Sequence, residues 1–400
     1  MTAPAPFDPI GLDRLAHLVD DFVNQGRFAG GVVLLNVGDE TWMHAAGVQD
    51  LASEVPMAPD SIFRIASMSK ALIAAATMLL VDDGRLDLDA PVDPWLPELA
   101  NRQVVLSITG PLDDTVPAEH PITTRHLLTL TWGLGLLMME PGQSPLHDAM
   151  TRLGVSVEYF PAALEPDAYM SAIGSLPLAH QPGEGWLYHT GYDILPILLA
   201  RVTGQPVADF MRERLFDPLG MVDTSFWMPE DKLDRFTTVY APGEAGLTVL
   251  DPAVGGFWSE RSHPPIEVVS TAGDFLAFAR MLLAGGRASG RQILSPGAVH
   301  EMTRDHLTPA IKRDFPLFPG YWDTHGWGYG VAMHTTDPVD RGFGRGTYGW
   351  SGGFNTHWQS DPTRDFVGLI LFQRVMGDEE NGAIIDDIWQ HALAALSDPD

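Results

Sequence analysis

A chain of 400 residues, 45% of them hydrophobic, is long enough to bury a large core as one big domain or two interleaved ones. Fifty-two acidic against twenty-four basic residues leave a formal charge of −28, which repels phosphates and sets aside binding to nucleic acid or to an anionic membrane. The absence of cysteine removes disulfides, thiol catalysis and thiolate metal sites together.

The opening Met-Thr-Ala-Pro-Ala-Pro-Phe-Asp-Pro has neither a basic nor an apolar leader region, so no secretion signal is expected and the cytoplasm is the default location. Leu12, Leu15, Val19, Phe22 and Val23 recur on one stripe, which predicts an amphipathic helix over 12–23 lying on a larger surface. Segments 31–37 and 42–48 read as strands joined at Gly38-Asp39, the signature of a hairpin. Residues 65–84 are rich in Ala and Leu, lack an interior Gly or Pro, and predict a helix stopped by Gly84. The apolar run 71–81 within it is too short, and too closely followed by Asp82 and Asp83, to cross a bilayer.

Beyond this helix come 87–99, rich in Asp and Pro, an irregular stretch to His120, and a helix start at Thr123-Thr124-Arg125-His126-Leu127-Leu128. From roughly 85 to 265 short helices alternate with Pro and Gly, among them 193–202, 206–216 and the turn Asp217-Pro218-Leu219-Gly220. Ser270-Thr271-Ala272-Gly273-Asp274 looks like a cap for a helix over 275–283, ended by Gly285-Gly286. Strand character returns at 328–333, 346–350, 354–359 and 366–372, and 384–396 closes the chain as a helix. The early hairpin and late strands predict an α/β (α+β) fold. One antiparallel sheet is built from 1–84 and 266–400 and flanked by N- and C-terminal helices, with a mainly helical domain, 85–265, inserted. The seam between the two parts is the expected place for a pocket.

Chemistry concentrates in three segments. Three lysines against twenty-one arginines make Lys70 conspicuous, and it stands three residues after Ser67 at a helix start. Residues three apart share one helix face, so the amine can point back at Ser67 Oγ while free backbone N–H groups face the same place. A serine hydroxyl is a poor nucleophile until something takes its proton, and burial would favour the neutral amine that can take it. The plainer alternative makes Ser67 a cap and Lys70 a side chain reaching water. Against it stand the chain's use of arginine for solvated cations and the lack of any dipole gain for a lysine near a positive helix end.

The second segment is Gln181-Pro182-Gly183-Glu184-Gly185-Trp186-Leu187-Tyr188-His189-Thr190-Gly191-Tyr192-Asp193. Here a Gly-rich turn delivers aromatics just before a helix: Trp186 reads as a packing anchor and Tyr188 as a group able to exchange protons with Ser67. The third is Gly346-Thr347-Tyr348-Gly349-Trp350-Ser351-Gly352-Gly353-Phe354, where absent side chains leave N–H groups that could hold an oxyanion. The alternative for it is a bend in an edge strand with no ligand.

Ser67-Met68-Ser69-Lys70 matches the Ser-x-x-Lys motif, and the three segments together resemble the serine β-lactamase and penicillin-binding-protein superfamily. The flanks Phe63-Arg64-Ile65-Ala66, Leu86-Asp87-Leu88-Asp89-Ala90-Pro91-Val92 and Pro121-Ile122-Thr123-Thr124-Arg125-His126-Leu127-Leu128-Thr129 are similar to the class C branch, and the likeness runs from about residue 10 to the end. The resemblance implies a β-lactamase-like fold with Ser67 as nucleophile, Lys70 as base and Tyr188 as the Tyr of the branch's Tyr-x-Asn motif. Thr190 stands at the Asn position, and Trp350-Ser351-Gly352 stand where the family has Lys-Thr-Gly or His-Thr-Gly. Losing the amide and the cation weakens the case for β-lactams and cell-wall peptides, while a tryptophan offers an apolar wall suited to an ester.

Tyr188 separated by four residues from Asp193, with a third motif beginning in Trp, resembles the family VIII carboxylesterases, the esterase offshoot of class C. By that resemblance Gly353 N–H joins Ser67 N–H in the oxyanion hole, and Trp350, Ser351, Gly352 and Thr190 line the substrate site. The activity implied is serine carboxylesterase on short- to medium-chain esters. A β-lactamase, a D-amino-acid-type peptidase or a transacylase is the alternative, and a non-catalytic binding protein on the same scaffold a further one.

Gly349-Trp350-Ser351-Gly352-Gly353 also satisfies G-x-S-x-G, which would make Ser351 the nucleophile. That pattern needs a strand-to-helix turn followed by an acid and a histidine, whereas Phe354-Asn355-Thr356-His357-Trp358 continues as a strand, and only His357 and His391 remain as partners. The fourteen histidines form no H-E-x-x-H, and His17, His44, His120 and His306 read as surface or cap residues. No Gly-rich phosphate loop precedes a helix. Neither metal nor cofactor is therefore expected, and the partner is a small-molecule ester.

Overall fold

Asp8 starts the first element of the computed structural model, which describes residues 6–156, 160, 162–244, 246–259, 266–338, 342–377 and 379–397. Its carboxylate accepts from the Ile10 and Gly11 amides while Pro9 occupies the first turn, giving α1 (Pro9–Asn24) with Leu15 and Val19 buried. Gly38, at φ +56, turns β1 (Gly30–Val37) into β2 (Glu40–Gly47). Next comes β3 (Phe63–Arg64), then a 3₁₀ turn at Ala66–Met68 and α2 (Ser69–Asp82), stopped at Gly84. From Ser69 to Leu80 every residue of α2 is buried, so it is the central helix rather than an amphipathic surface one.

The intervening region carries the hairpin β4 (Gln103–Val105) and β5 (Thr115–Pro117), then α3 (Thr124–Leu128), α4 (Pro145–Arg152), α5 (Pro166–Gly174), α6 (Gly191–Thr203), α7 (Val207–Met211) and α8 (Asp217–Leu219). A second hairpin, β6 (Val239–Gly243) and β7 (Gly246–Asp251), follows. The chain then returns through β8 (Val269–Ser270), which pairs with β3, to α9 (Ala272–Leu283), capped by Thr271. After the short pair β9 (Arg287–Ala288) and β10 (Arg291–Gln292) come α10 (Pro296–Thr303), α11 (Pro309–Asp314) and α12 (Tyr321–Thr324). Five strands close the sheet: β11 (His325–Trp327), β12 (Ala332–His334), β13 (Tyr348–Gly352), β14 (Thr356–Asp361) and β15 (Phe366–Phe372), before α13 (Glu379–Ala394).

The seven-stranded sheet has the order β11-β12-β13-β14-β15-β1-β2, every pair antiparallel, with the last strand lying against the first. Alternation along β1 divides the core. Val33 and Leu35 face α1 and α13, while Val32 and Leu34 face the side that holds α2 and α9. The fold is thus the α/β arrangement expected, a sheet built from both chain ends around a large helical insertion.

Several local expectations change. The strand read at 328–333 is the turn and second arm of the β11–β12 hairpin: Gly330 sits at φ +74, and a Cβ there would stand 2.5 Å from the Lys70 carbonyl oxygen. The irregular stretch before His120 contains the β4–β5 pair, whose arms are too short to show alternation. The helix over 206–216 ends its α geometry at Met211 and continues as a π turn, Arg212–Phe216. Phe354 lies in the β13–β14 turn, beside Asn355 at φ +60, rather than in a strand. Residue 265, an expected boundary, and residues 1–5, on which the leader expectation rests, lie outside the described residues. Among the described residues no helix is long and apolar enough to cross a membrane.

Candidate active site

Everything at the site hangs on the turn between β3 and α2. Ala66 adopts φ +44, a left-handed conformation that costs a non-glycine residue about 1–3 kcal/mol. The turn is closed by the Met68 amide donating to the Ile65 carbonyl at 3.0 Å. Ser67 therefore sits one step earlier than expected, in the 3₁₀ turn that feeds the helix rather than in its first α turn. The three-residue spacing still brings the side chains together: Lys70 Nζ donates to Ser67 Oγ at 3.0 Å, with the lysine only 2% and the serine 8% exposed.

Tyr188 reaches the same place from the loop before α6. Its backbone is fixed by the Leu136 amide donating to the Tyr188 carbonyl and the Leu187 amide donating to the Leu130 carbonyl. Close by, Gly135 leaves no room for a side chain, since a Cβ would meet the Leu187 carbonyl at 2.5 Å. The phenol ring faces the lysine, with Nζ 4.9 Å from its centroid.

Trp350, expected as an apolar wall, makes a polar contact as well: its Nε1–H donates to the Tyr188 hydroxyl oxygen at 2.7 Å. Trp186 stacks on Tyr188, as a packing anchor should, and Trp327 meets both Trp186 and Trp350 edge-on. The tyrosine is thus boxed by three indoles.

The third segment lies directly on the Ser67 turn. At Gly352 a Cβ would come 2.3 Å from the Ile65 carbonyl oxygen, and Thr356 donates its hydroxyl to that same oxygen at 3.1 Å, so Gly352 is a point of close backbone approach. Gly353 is exposed, with nothing within 4 Å of the place a side chain would occupy.

Thr190 departs from its expected place among the substrate-contacting residues. It is fully buried, donating to the Leu134 carbonyl at 2.7 Å and accepting from Trp132 Nε1 at 3.2 Å, so its hydroxyl is spent on holding the loop. Ser351 bonds to His357, Oγ to Nδ1 at 2.8 Å, with His357 Nε2 at 3.4 Å from Asn355 Oδ1. Burial pushes the His357 imidazole down to about 3, so it is neutral. The strand after Ser351 runs into a turn and β14, not into a helix, and His391 is bonded to the Asp387 carbonyl within α13.

Three further groups at the site carry little sequence signal. His189, at φ +88, places Nδ1 3.5 Å from Lys70 Nζ and Nε2 3.3 Å from Asp193 Oδ1. The spacing of four from His189 to Asp193 on the entry to α6 was the available clue. Glu267 is 6% exposed, and burial raises its carboxyl above the ordinary range while Lys70 and His189 pull it back. Nothing local in the sequence marked it. A cavity of about 460 Å³ lies elsewhere, among Tyr169, Ile197, Val207, Trp227 and Ile266, and its lining contains none of Ser67, Lys70 or Tyr188. Among the described residues no three His, Asp or Glu side chains gather as a metal would require.

The beta-lactamase family profile matches residues 15–393. A protein of Mycobacterium tuberculosis is 36% identical over 382 residues, covering 91% of this chain and 90% of its own length. Esterase EstB of Burkholderia gladioli is 31% identical over 373 residues, 90% of this chain and 89% of that protein. Among solved structures, simvastatin synthase from Aspergillus terreus superposes with a TM-score of 0.79 at 21% identity, over 96% of this chain and 98% of that one.

Proposed function

This chain belongs to the beta-lactamase family, and on that premise we propose that it is a serine carboxylesterase hydrolysing short- to medium-chain carboxylic esters through an acyl-enzyme on Ser67. One observation carries the reading: a buried lysine amine lies 3.0 Å from a serine hydroxyl, in a site where an indole stands in place of the family's cation. The similarity to an esterase of Burkholderia gladioli points the same way.

In the proposed cycle Lys70, as the free amine, takes the Ser67 proton while Oγ attacks the ester carbonyl. The Ser67 and Gly353 amides hold the oxyanion. Tyr188 gives its proton to the departing alkoxide, and the Trp350 N–H already bonded to its oxygen stabilises the phenolate that remains. A water activated by the same groups then releases the acid. An indole cannot pair with the carboxylate that β-lactams and peptide C-termini present, whereas an ester needs no such partner. Trp350, Ser351 and Gly352 remain the proposed substrate-facing strand.

Nucleophile and base belong to 1–84, the oxyanion glycine to 266–400 and Tyr188 to 85–265, a division that puts the reaction at the seam of two units. We place the enzyme in the cytoplasm, where a chain without cysteine loses nothing to reducing conditions.

Intact-protein mass spectrometry after brief exposure to p-nitrophenyl butanoate, with Ser67→Ala as control, tests this. One acyl group is expected on the wild-type chain, mapping to Ser67, and none on the variant. An acyl group at Ser351, or faster turnover of a chromogenic cephalosporin than of the ester, overturns the reading in favour of the alternatives.

A further inference from the structure

Resting on the proposed role of the Gly353 N–H in the esterase cycle, we propose that Asn355 is the positioning residue of the oxyanion hole. It fixes the Gly352–Gly353 peptide in the orientation that presents the Gly353 N–H, rather than the Gly352 carbonyl, to the ester.

The need for such a residue comes from the chain itself. Two consecutive glycines carry no Cβ to restrict φ, so the peptide between them can turn over and put an acceptor where a donor is required. The C=O and N–H of one trans peptide point in opposite directions, so whatever holds the carbonyl also aims the donor. The Asn355 amide does this, donating to the Gly352 carbonyl at 3.0 Å. A three-residue loop, Gly353-Phe354-Asn355, joins β13 to β14, and such a loop closes with its last residue left-handed, as Asn355 is at φ +60. Asparagine accepts that conformation more readily than most side chains.

The side chain then locks what a glycine there would leave loose. Asn355 is fully buried, and its Nδ2 donates to the Arg374 carbonyl at 2.8 Å, on the segment that follows β15. The same stretch holds the rest of the turn: the Met376 amide donates to the Gly353 carbonyl at 2.9 Å, the Arg374 amide to the Phe354 carbonyl at 3.2 Å and the Phe372 amide to the Asn355 carbonyl at 3.0 Å. Four successive carbonyls, Gly352 to Asn355, are thus taken, while the Gly353 N–H makes no hydrogen bond among the described residues. One free donor in a turn otherwise saturated is what a developing oxyanion needs. On the other side Asn355 Oδ1 lies 3.4 Å from His357 Nε2, and His357 Nδ1 lies 2.8 Å from Ser351 Oγ. With the ring neutral and Ser351 donating to Nδ1, the ring proton sits on Nε2 and faces Oδ1, which keeps the amide nitrogen toward Arg374. Ser351 stands at the outer end of this chain, so its loss leaves both contacts of the Asn355 amide in place.

The test compares ethyl butanoate with its thiono analogue, in which sulfur replaces the carbonyl oxygen, for the wild type and for Asn355→Gly. The variant keeps the left-handed turn and deletes only the side-chain anchors. Aimed N–H donors favour oxygen over sulfur, a weaker acceptor, so the ratio of the two kcat/KM values reports how well the hole is formed. Asn355→Gly is expected to lower kcat on ethyl butanoate by about tenfold or more at nearly unchanged KM and to shrink the oxygen-to-sulfur ratio with it. An unchanged kcat, or a lower kcat with the wild-type ratio, overturns the proposal. The ratio is independent of how much of the variant is folded, and the wild type alone covers the case in which none is. After inactivation by a p-nitrophenyl alkylphosphonate, its crystal structure should show the phosphonyl oxygen on the Gly353 N–H, with the Gly352 carbonyl still on the Asn355 amide. A Gly352–Gly353 peptide turned the other way overturns the proposal. The mass added by the phosphonate separates the outcomes: no adduct on Ser67 sinks the esterase reading, whereas a Ser67 adduct with an unmoved ratio sinks only the role of Asn355.

Discussion

Two buried basic side chains stand six residues apart on either side of the Ser67 turn, Arg64 and Lys70, and they are held in opposite ways. Arg64 is fully buried, yet Nε and Nη2 reach Asp251 Oδ2 at 2.7 and 2.5 Å, Nη1 donates to the Thr237 carbonyl and Nη2 also to the Pro252 carbonyl. Phe236 lies 3.9 Å from its guanidinium, and Asp251 Oδ1 accepts from the Phe257 amide at 2.6 Å. Burial draws this guanidinium down to about 10 while Asp251 holds it up, so it stays charged at neutral pH. Lys70 instead shares its surroundings with a histidine and two acids, one oxygen of which has no hydrogen bond. A saturated pair locks β3 to the insertion; the cluster around Lys70 leaves a carboxylate oxygen of Asp193 without a hydrogen bond.

The largest break in that comparison is Lys70→Met. It should lower turnover of p-nitrophenyl butanoate by about a thousandfold or more while the melting temperature holds or rises, because removing this buried amine costs chemistry rather than packing. Asp251→Asn should do the reverse, costing about 3–5 kcal/mol in denaturant unfolding with near-normal kcat in the fraction that remains folded. A loss of kcat without a loss of stability there would erase the distinction.

Trp350→Phe sharpens it at the margin. Loss of the indole donor to Tyr188 should cost about tenfold or more on ethyl butanoate and much less on p-nitrophenyl butanoate, whose leaving group needs no proton. The smallest effect is expected from Ser351→Ala: a change of about twofold or less, with acylation still at Ser67, since this hydroxyl is bonded to His357 rather than activated toward substrate.

What could be read along the chain was what is local. The spacing of Ser67 and Lys70, the caps Thr123 and Thr271 and the β1–β2 hairpin all depend on neighbours within a few positions, and all are present. Between distant segments the resemblance alone brought Tyr188 and the Trp350 strand to Ser67; the bond from Trp350 to Tyr188, 162 positions away, and the buried Glu267 had no motif to announce them. Thr190 shows the converse limit. Its place in the loop was legible, but the direction of its side chain is set by Trp132 and Leu134, which no spacing within the loop encodes.

The pairing of β3 with β8, Phe63 opposite Ser270 and Arg64 opposite Val269, fastens the strand that leads into the Ser67 turn to the strand by which the chain returns from the helical insertion. Ser67, Lys70 and α2 follow β3 before the insertion begins, so a different helical segment grafted between α2 and β8 would change which alcohols are protonated and released, while the proposed nucleophile, base and oxyanion amides stay on the retained frame.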